Sequence, residues 1–251
     1  MSGHSKWSTI KRKKAAEDAR RGQVFTKLAK EIAIAAREGP DPEVNMKLRL
    51  AVDKAKAANM PKDNIERAIR RGAGLDKDAS ELEEIMYEGY GPHGVALMIE
   101  VVTDNRNRAV ADIRRWFNKL GGSLGESGCV AWQFEPKSYF TLPPDDLDPD
   151  RVFEVAVESG ADDVTFSEDL IEIFAEPTEF QTVREELQQS GLEPETAELT
   201  MIPKTTISLE QKQAFQTMNL ISVLEELEDV QQVYSNLDIS DELMEAFEGQ
   251  D

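Results

Sequence analysis

Residues 150–175, DRVFEVAVESGADDVTFSEDLIEIFA, read as a helix over 150–159 followed by strands near 163–166 and 170–175. Working outward, a strand at 139–142 precedes this stretch, and a helix at 178–190 and a strand at 198–202 follow it. Together they make a complete βαββαβ series, the ferredoxin-like order. Farther out lie pieces of a second set. A β-rich run covers 95–103, a helix 106–120, a Gly121-Gly122 turn comes next, and a strand covers 129–134. Beyond the series, 209–227 reads as a helix and 230–234 as a strand, neither with a local partner. Joined to the pieces of 94–134, they complete a second split β-α-β unit. The expected fold class is therefore α+β. Residues 136–203 form a ferredoxin-like domain inserted into a discontinuous αβ domain of residues 76–135 and 204–251. Two αβ domains in series is the alternative.

The first 75 residues follow a different pattern. Lys11-Arg12-Lys13-Lys14 is a cationic block without apolar periodicity, so residues 1–20 read as a flexible basic arm. Phe25, Leu28, Ala29, Ile32 and Ala36 then recur at helical spacing up to Gly39-Pro40. Asp41-Pro42 reads as N-cap and first position of a second helix with Val44, Leu48, Ala51, Val52 and Ala55 on its apolar face. Pro61 opens a third, which carries Ile65, Ala68 and Ile69 and ends at Gly72. Three helices with short connections make a small bundle.

The net charge of −20 over 251 residues hides a segregation. Residues 1–74 hold 18 Lys and Arg against 9 Asp and Glu, and residues 75–251 hold 11 against 40. A cationic module is attached to an anionic body, and such asymmetry points to a polyanionic partner for the module. No apolar run approaches the roughly 18 residues of a membrane span. The N-terminal residues Met1 to Trp7 lack an apolar signal region. A lone cysteine, Cys129, makes no internal disulfide, which fits a reducing compartment. A cytoplasmic, non-membrane protein is expected.

Four stretches resemble the YebC/PmpR family: Gly3-His4-Ser5-Lys6-Trp7, the run from Asn59-Met60-Pro61-Lys62-Asp63-Asn64 to Ile69, Tyr87-Glu88-Gly89-Tyr90-Gly91-Pro92, and Thr103-Asp104-Asn105-Arg106-Asn107-Arg108. The resemblance covers essentially the whole chain. It implies three domains with the helical bundle first, and a transcriptional regulator that binds DNA. Mitochondrial relatives resemble translational activators, and bacterial ones have been linked to stalled ribosomes. A ribosome- and RNA-binding translation factor is therefore the alternative. One departure is Cys129, where the family typically carries serine; a small residue is retained.

Phosphate contacts are made by Lys and Arg, and counterion release makes them salt-dependent. At about 100° per residue, Lys27, Lys30 and Arg37 share one arc of the first helix, and Arg67, Arg70 and Arg71 share one of the third. Lys47 and Lys54 share a face of the second helix, nearly opposite Arg49 and Lys56, so one ligand cannot meet every cation. The arm adds Lys6, Lys11, Arg12, Lys13 and Lys14, and its Trp7 suits either stacking on an unpaired base or folding back onto the bundle. Arg108, Arg115 and Lys119 form a stripe on the helix over 106–120, opposite Ile113, Trp116, Phe117 and Leu120. Salt bridges to acidic neighbours are the competing reading for that stripe. Residues 120–251 hold only 5 Lys and Arg against 31 Asp and Glu, a surface that repels nucleic acid or meets a basic partner. The expected partners are duplex DNA, or ribosomal RNA, tRNA and the ribosome. An acidic scaffold whose bundle binds proteins is a third class.

Catalytic patterns are weak. Gly121-Gly122-Ser123-Leu124-Gly125 matches G-x-S-x-G, but a helix precedes it where the nucleophile elbow needs a strand, and both His4 and His93 lie upstream. No phosphate-binding loop is present. One cysteine and two distant histidines cannot build a Cys/His metal site. No carboxylate pair stands out, so only a carboxylate-based enzyme such as a metal-dependent nuclease stays open. A non-enzymatic protein without cofactor, metal or small-molecule substrate is expected.

Overall fold

The structure is a computed structural model that describes residues 18–76, 80–144, 147–168 and 170–248. The first three helices are α1 (Asp18–Ala35), α2 (Met46–Ala57) and α3 (Lys62–Gly72), with a 3₁₀ turn, Ala36–Glu38, extending α1. Leu28, Ile32, Ala35 and Ala36 recur on one face of α1. They bury against Leu48, Ala51, Val52 and Ala55 of α2 and Ile65 and Ala68 of α3. Crossing of α1 and α3 is close enough that a Cβ on Gly72 would lie 2.1 Å from the Ala33 carbonyl oxygen, so only glycine fits there.

The second helix begins differently from the expectation. Asn45, not Asp41, is its N-cap, and Asp41 to Val44 form a turn. The buried Asn45 side chain accepts from Leu48 N–H at 3.0 Å and donates to the Ala35 and Gly39 carbonyls, both at 2.8 Å. Capping and bundle closure are thus one residue's work, and Val44, expected in the core, is 83% exposed.

Two four-stranded sheets follow. The first contains β1 (Glu83–Tyr90), β2 (Ala96–Thr103), β3 (Ser123–Leu124) and β8 (Val230–Ser235) in the order β3-β1-β2-β8. Helices α4 (Arg106–Leu120) and α7 (Gln211–Glu225) cover one face, where Ile99, Val101, Ile113, Phe117, Leu220 and Leu224 are buried. Between β3 and α7 runs the second set: β4 (Phe134–Leu142), α5 (Pro149–Glu158), β5 (Ala161–Phe166), β6 (Ile171–Ala175), α6 (Phe180–Gln189) and β7 (Thr196–Pro203). Its order, β5-β6-β4-β7 with every pair antiparallel, is that of the ferredoxin-like series. Phe140, Leu142, Ile171 and Ile173 meet Val152, Val183 and Leu187 from α5 and α6.

Several elements depart from the sequence expectation. Strand β1 was not expected, because its Glu83 and Glu84 continue an acidic stretch; alternation on the two-sided hairpin with β2 overrides that composition. Of the strand expected over 129–134, residues 129–133 are not extended. The Glu88 carboxylate accepts the N–H groups of Gly128, Val130 and Ala131 at 2.7, 2.9 and 2.8 Å, which curls the chain into a turn and the 3₁₀ segment Ala131–Gln133. The strand that completes the first sheet is instead the two-residue β3, inside the glycine-rich segment read as a turn, and β4 starts only at Phe134. A last helix, α8 (Asp241–Glu248), also went unread. No helix among the described residues is long and apolar enough to cross a membrane.

Candidate nucleic-acid interface

Lys27 and Lys30 of α1 and Arg37 of the 3₁₀ turn that extends it share a face as their spacing requires, and that face turns inward. Lys30 is buried and its ammonium lies 2.7 Å from Asp229 and 3.0 Å from the Glu228 carbonyl oxygen, in the turn before β8. Lys27 donates to the Glu225 carbonyl at the C-terminus of α7, and Arg37 donates to the Leu82 carbonyl before β1. Arg108 reaches the same Asp229 from α4, with its guanidinium 2.9 Å from one carboxylate oxygen, and also holds Asp104 at 2.9 Å. Asp229 therefore stands between a bundle cation and a body cation. Burial by itself raises its pKa, but the hydrogen bonds and charges of Lys30 and Arg108 outweigh that and hold the carboxyl below its ordinary value.

This arrangement corrects the reading of Lys30 and Arg108 as phosphate contacts. Their charge is matched by a carboxylate inside the protein, so the salt-bridge alternative describes Arg108. A second contact joins bundle and body: Leu50 of α2 packs against the core of the second sheet, and Arg184 of α6 lies 3.4 Å from Asp53. On α2, Lys47 and Lys54 pair with Glu38 and Glu31, and Lys56 pairs with Asp53.

The outward helix of the bundle is α3. Arg67 and Arg70 are exposed and, among the described residues, have no hydrogen bond or ion pair. Arg71, in the same arc, is half-buried and donates to the Ser80 carbonyl at 2.9 Å. On α4, Arg115 and Lys119 lie over the half-buried Trp116 ring at 5.6 and 4.6 Å. They stay exposed, and Lys119 borders an open cleft with His93, Gly121, Gln216 and Asn219. Arg106 and Arg114, also exposed and unpaired among the described residues, were missed because they fall off the 108–115–119 stripe. Lys6, Trp7, Lys11, Arg12, Lys13 and Lys14 lie outside the described residues.

Ser123 follows α4 and pairs in β3, so no nucleophile elbow forms. His93 is exposed in the 3₁₀ turn Pro92–Gly94 with φ 62°, and its Nε2 lies 2.7 Å from Gln216 Oε1. Burial, and after it the neighbouring Glu88, push the Cys129 thiol up. Among the described residues no group of His, Cys, Asp and Glu is arranged to hold a metal ion.

A family model described as the TACO1/YebC protein N-terminal domain matches residues 5–75, and one described as the TACO1/YebC second and third domain matches residues 82–237. The chain belongs to the TACO1/YebC family. A relative from Geotalea uraniireducens is 54% identical over 246 residues, which is 98% of this chain and 99% of that protein; one from Rubrobacter xylanophilus is 54% identical over 97% of this chain and 98% of its own. Both are named "probable transcriptional regulatory protein". A solved structure, a conserved hypothetical protein from Aquifex aeolicus, is 44% identical with a TM-score of 0.82 and covers 89% of this chain and 93% of that one.

In this TACO1/YebC chain three of the four quoted motifs fall at structural joints. The Asn59 to Ile69 run spans the turn between α2 and α3, where Asn59 takes φ 58°. Tyr87 to Pro92 ends β1 and supplies Glu88. Thr103 to Arg108 caps α4, where the Asn105 side chain accepts from the Arg108 N–H at 3.1 Å, and it delivers Arg108 to Asp229.

Proposed function

We propose that this protein is a non-enzymatic, nucleic-acid-binding regulator of gene expression in the cytoplasm, and that it engages duplex DNA through the outward face of the bundle and the basic arm. The observation that carries the reading is the pair Arg67 and Arg70, unpaired among the described residues on the outward face of a module whose Lys and Arg outnumber its Asp and Glu two to one. The names of the relatives agree with it. Arg115 and Lys119 are secondary contacts, and the arm residues Lys6, Trp7, Lys11, Arg12, Lys13 and Lys14 add electrostatic reach. The anionic body turns the bundle side toward the polyanion.

The domain division that accompanies this reading is 1–75, 76–135 with 204–251, and an inserted 136–203. Residues 136–203, expressed alone, are expected to unfold in one cooperative transition; a broad, probe-dependent transition contradicts the division.

The second reading is a translation factor on ribosomal RNA or tRNA, favoured by the exposed Trp132. The deciding experiment offers labelled protein both ribosomes and mixed duplex DNA at about 150 mM salt, where weak charge contacts are screened. Retention on DNA supports the transcriptional reading, and co-sedimentation with ribosomes despite excess DNA replaces it with the translational one. Neutralising Lys11, Arg12, Lys13 and Lys14 is expected to flatten the salt dependence of binding. An unchanged slope removes the arm from the interface.

A further inference from the structure

Trp132 is the most exposed large aromatic side chain described, at 67%, and it is not loose. Its Nε1 donates to the Cys129 carbonyl oxygen at 3.1 Å, and the Tyr90 hydroxyl donates to that same oxygen at 3.2 Å. Tyr90 is itself 37% exposed. The carbonyl that orients both rings is fixed by the Glu88 carboxylate, which gathers the N–H groups of Gly128, Val130 and Ala131. Burial by itself raises the Glu88 pKa, but those three bonds outweigh it and keep the group an anion. A buried carboxylate and five hydrogen bonds are thus arranged so that two aromatic rings stand in solvent with their polar atoms already satisfied. Folding alone gives no reason for that display, since an exposed indole forgoes its hydrophobic gain.

The surroundings decide the occupant. Gly125, Glu126, Ser127 and Gly128 are exposed, small or polar, so the apolar area stays far below the roughly 800 Å² that each partner gives to a stable protein interface. A flat, isolated aromatic surface with a polar rim suits the face of one base. A cation is at hand: Lys204, one of five Lys and Arg in residues 120–251, is exposed, and its backbone N–H donates to the carbonyl of Gln133, the residue after Trp132, at 2.8 Å.

We infer that Trp132 and Tyr90, with Lys204, form a second nucleic-acid site that stacks an unpaired base of single-stranded RNA. Duplexes keep their base faces stacked and offer this corner nothing, whereas RNA loops and ends present splayed bases to aromatic rings. The inference rests on the reading of the protein as a nucleic-acid binder and adds a site far from α3 in the chain.

The test measures the affinity of the full-length protein for a fluorescent single-stranded RNA octamer, the same RNA as a duplex, single-stranded DNA and duplex DNA. Trp132→Ala is expected to weaken single-stranded RNA about tenfold and leave both duplexes unchanged. Trp132→Phe, which keeps a ring, retains affinity within about threefold, while the quenching of intrinsic fluorescence by the RNA falls. Thermal unfolding of both variants controls for folding. If Trp132→Ala alters no probe, or all probes equally, the site is overturned. Equal Trp132 dependence for single-stranded DNA overturns the choice of RNA. Arg67→Ala/Arg70→Ala separates the two proposals: loss of duplex binding in that variant, with Trp132 variants silent, keeps the nucleic-acid reading and sinks this site. Absence of wild-type binding to every probe sinks both.

Discussion

Helices α1 and α3 carry cations at similar helical spacing and end in opposite roles. Lys27 and Lys30 on α1, and Arg37 of the turn that extends it, are consumed by Glu225, Asp229 and Leu82 of the αβ body, while Arg67 and Arg70 on α3 meet no partner among the described residues. The difference lies in what packs opposite. Helix α1 lies against β8 and the turn before it, where Ala33 and Ile34 also cover Leu82 and Val102. Helix α3 packs on α1 and leaves its other side to solvent. A basic stripe is therefore a statement about a helix face and not about a ligand: it holds a fold together when the neighbour is anionic and recruits a polyanion when there is no neighbour.

The sharpest way to break this comparison is to remove the carboxylate that α1 needs. Asp229→Ala removes the contacting countercharge of the buried Lys30 ammonium and leaves it the Glu228 carbonyl at 3.0 Å and the Glu228 carboxylate at 4.0 Å; urea unfolding is expected to show a loss of about 3 kcal/mol. A loss no larger than that of a surface substitution would mean that the α1 cations are not spent on the fold. The pH dependence has a definite sign. Asp229 sits below its unfolded value, so its ion pairs are fully stabilising above that value and are lost as pH falls through the folded one. Asp229→Asn removes that acid-side component.

Next in size is Asn45→Ala, which deletes three hydrogen bonds and strands two carbonyls and one N–H at the α1–α2 joint. A loss of about 2 kcal/mol is expected, with the αβ sheets still folded by near-ultraviolet dichroism. Arg67→Ala/Arg70→Ala tests the other helix. Nucleic-acid affinity is expected to fall about tenfold and the salt slope by nearly 2, with unfolding unchanged. If this pair instead lowered stability and left affinity alone, the roles of α1 and α3 would have to be exchanged.

The smallest effect concerns Glu100 on β2, on the sheet face that meets α1. Burial raises its carboxyl above the usual value, opposed by a 2.8 Å bond from the Tyr234 hydroxyl and by Lys54, and reinforced by Glu31 and Glu84. The folded state thus holds this proton more tightly than the unfolded chain. Its stability contribution is complete below the unfolded value and is lost as pH rises through the folded one. Glu100→Gln keeps an acceptor for Tyr234 and is expected to raise the melting midpoint slightly at neutral pH with no change in mild acid. A lower midpoint at neutral pH would show that the charge serves the junction.

Local pattern determined much of this protein. The ferredoxin-like series of 136–203, the bundle core of Leu28, Ile32, Leu48, Val52 and Ile65, and the burial of Ile113 and Phe117 follow from periodicity, which burial of one face imposes on any helix or strand. The charge segregation and the family were equally legible. What only the tertiary structure decided involves partners distant in the chain. Glu88 bends residues 128–131 from forty positions away, against their strand-like composition, and Asp229 claims Lys30 from 199 positions away. Trp7, the aromatic expected to meet a base, lies outside the described residues; Trp132 is held in solvent because the Cys129 carbonyl that orients it is shaped by that same Glu88. Sequence spacing fixes which side chains share a face, since helix and strand geometry are local. Which face finds a partner depends on contacts between segments that are remote in sequence, and no local periodicity encodes them.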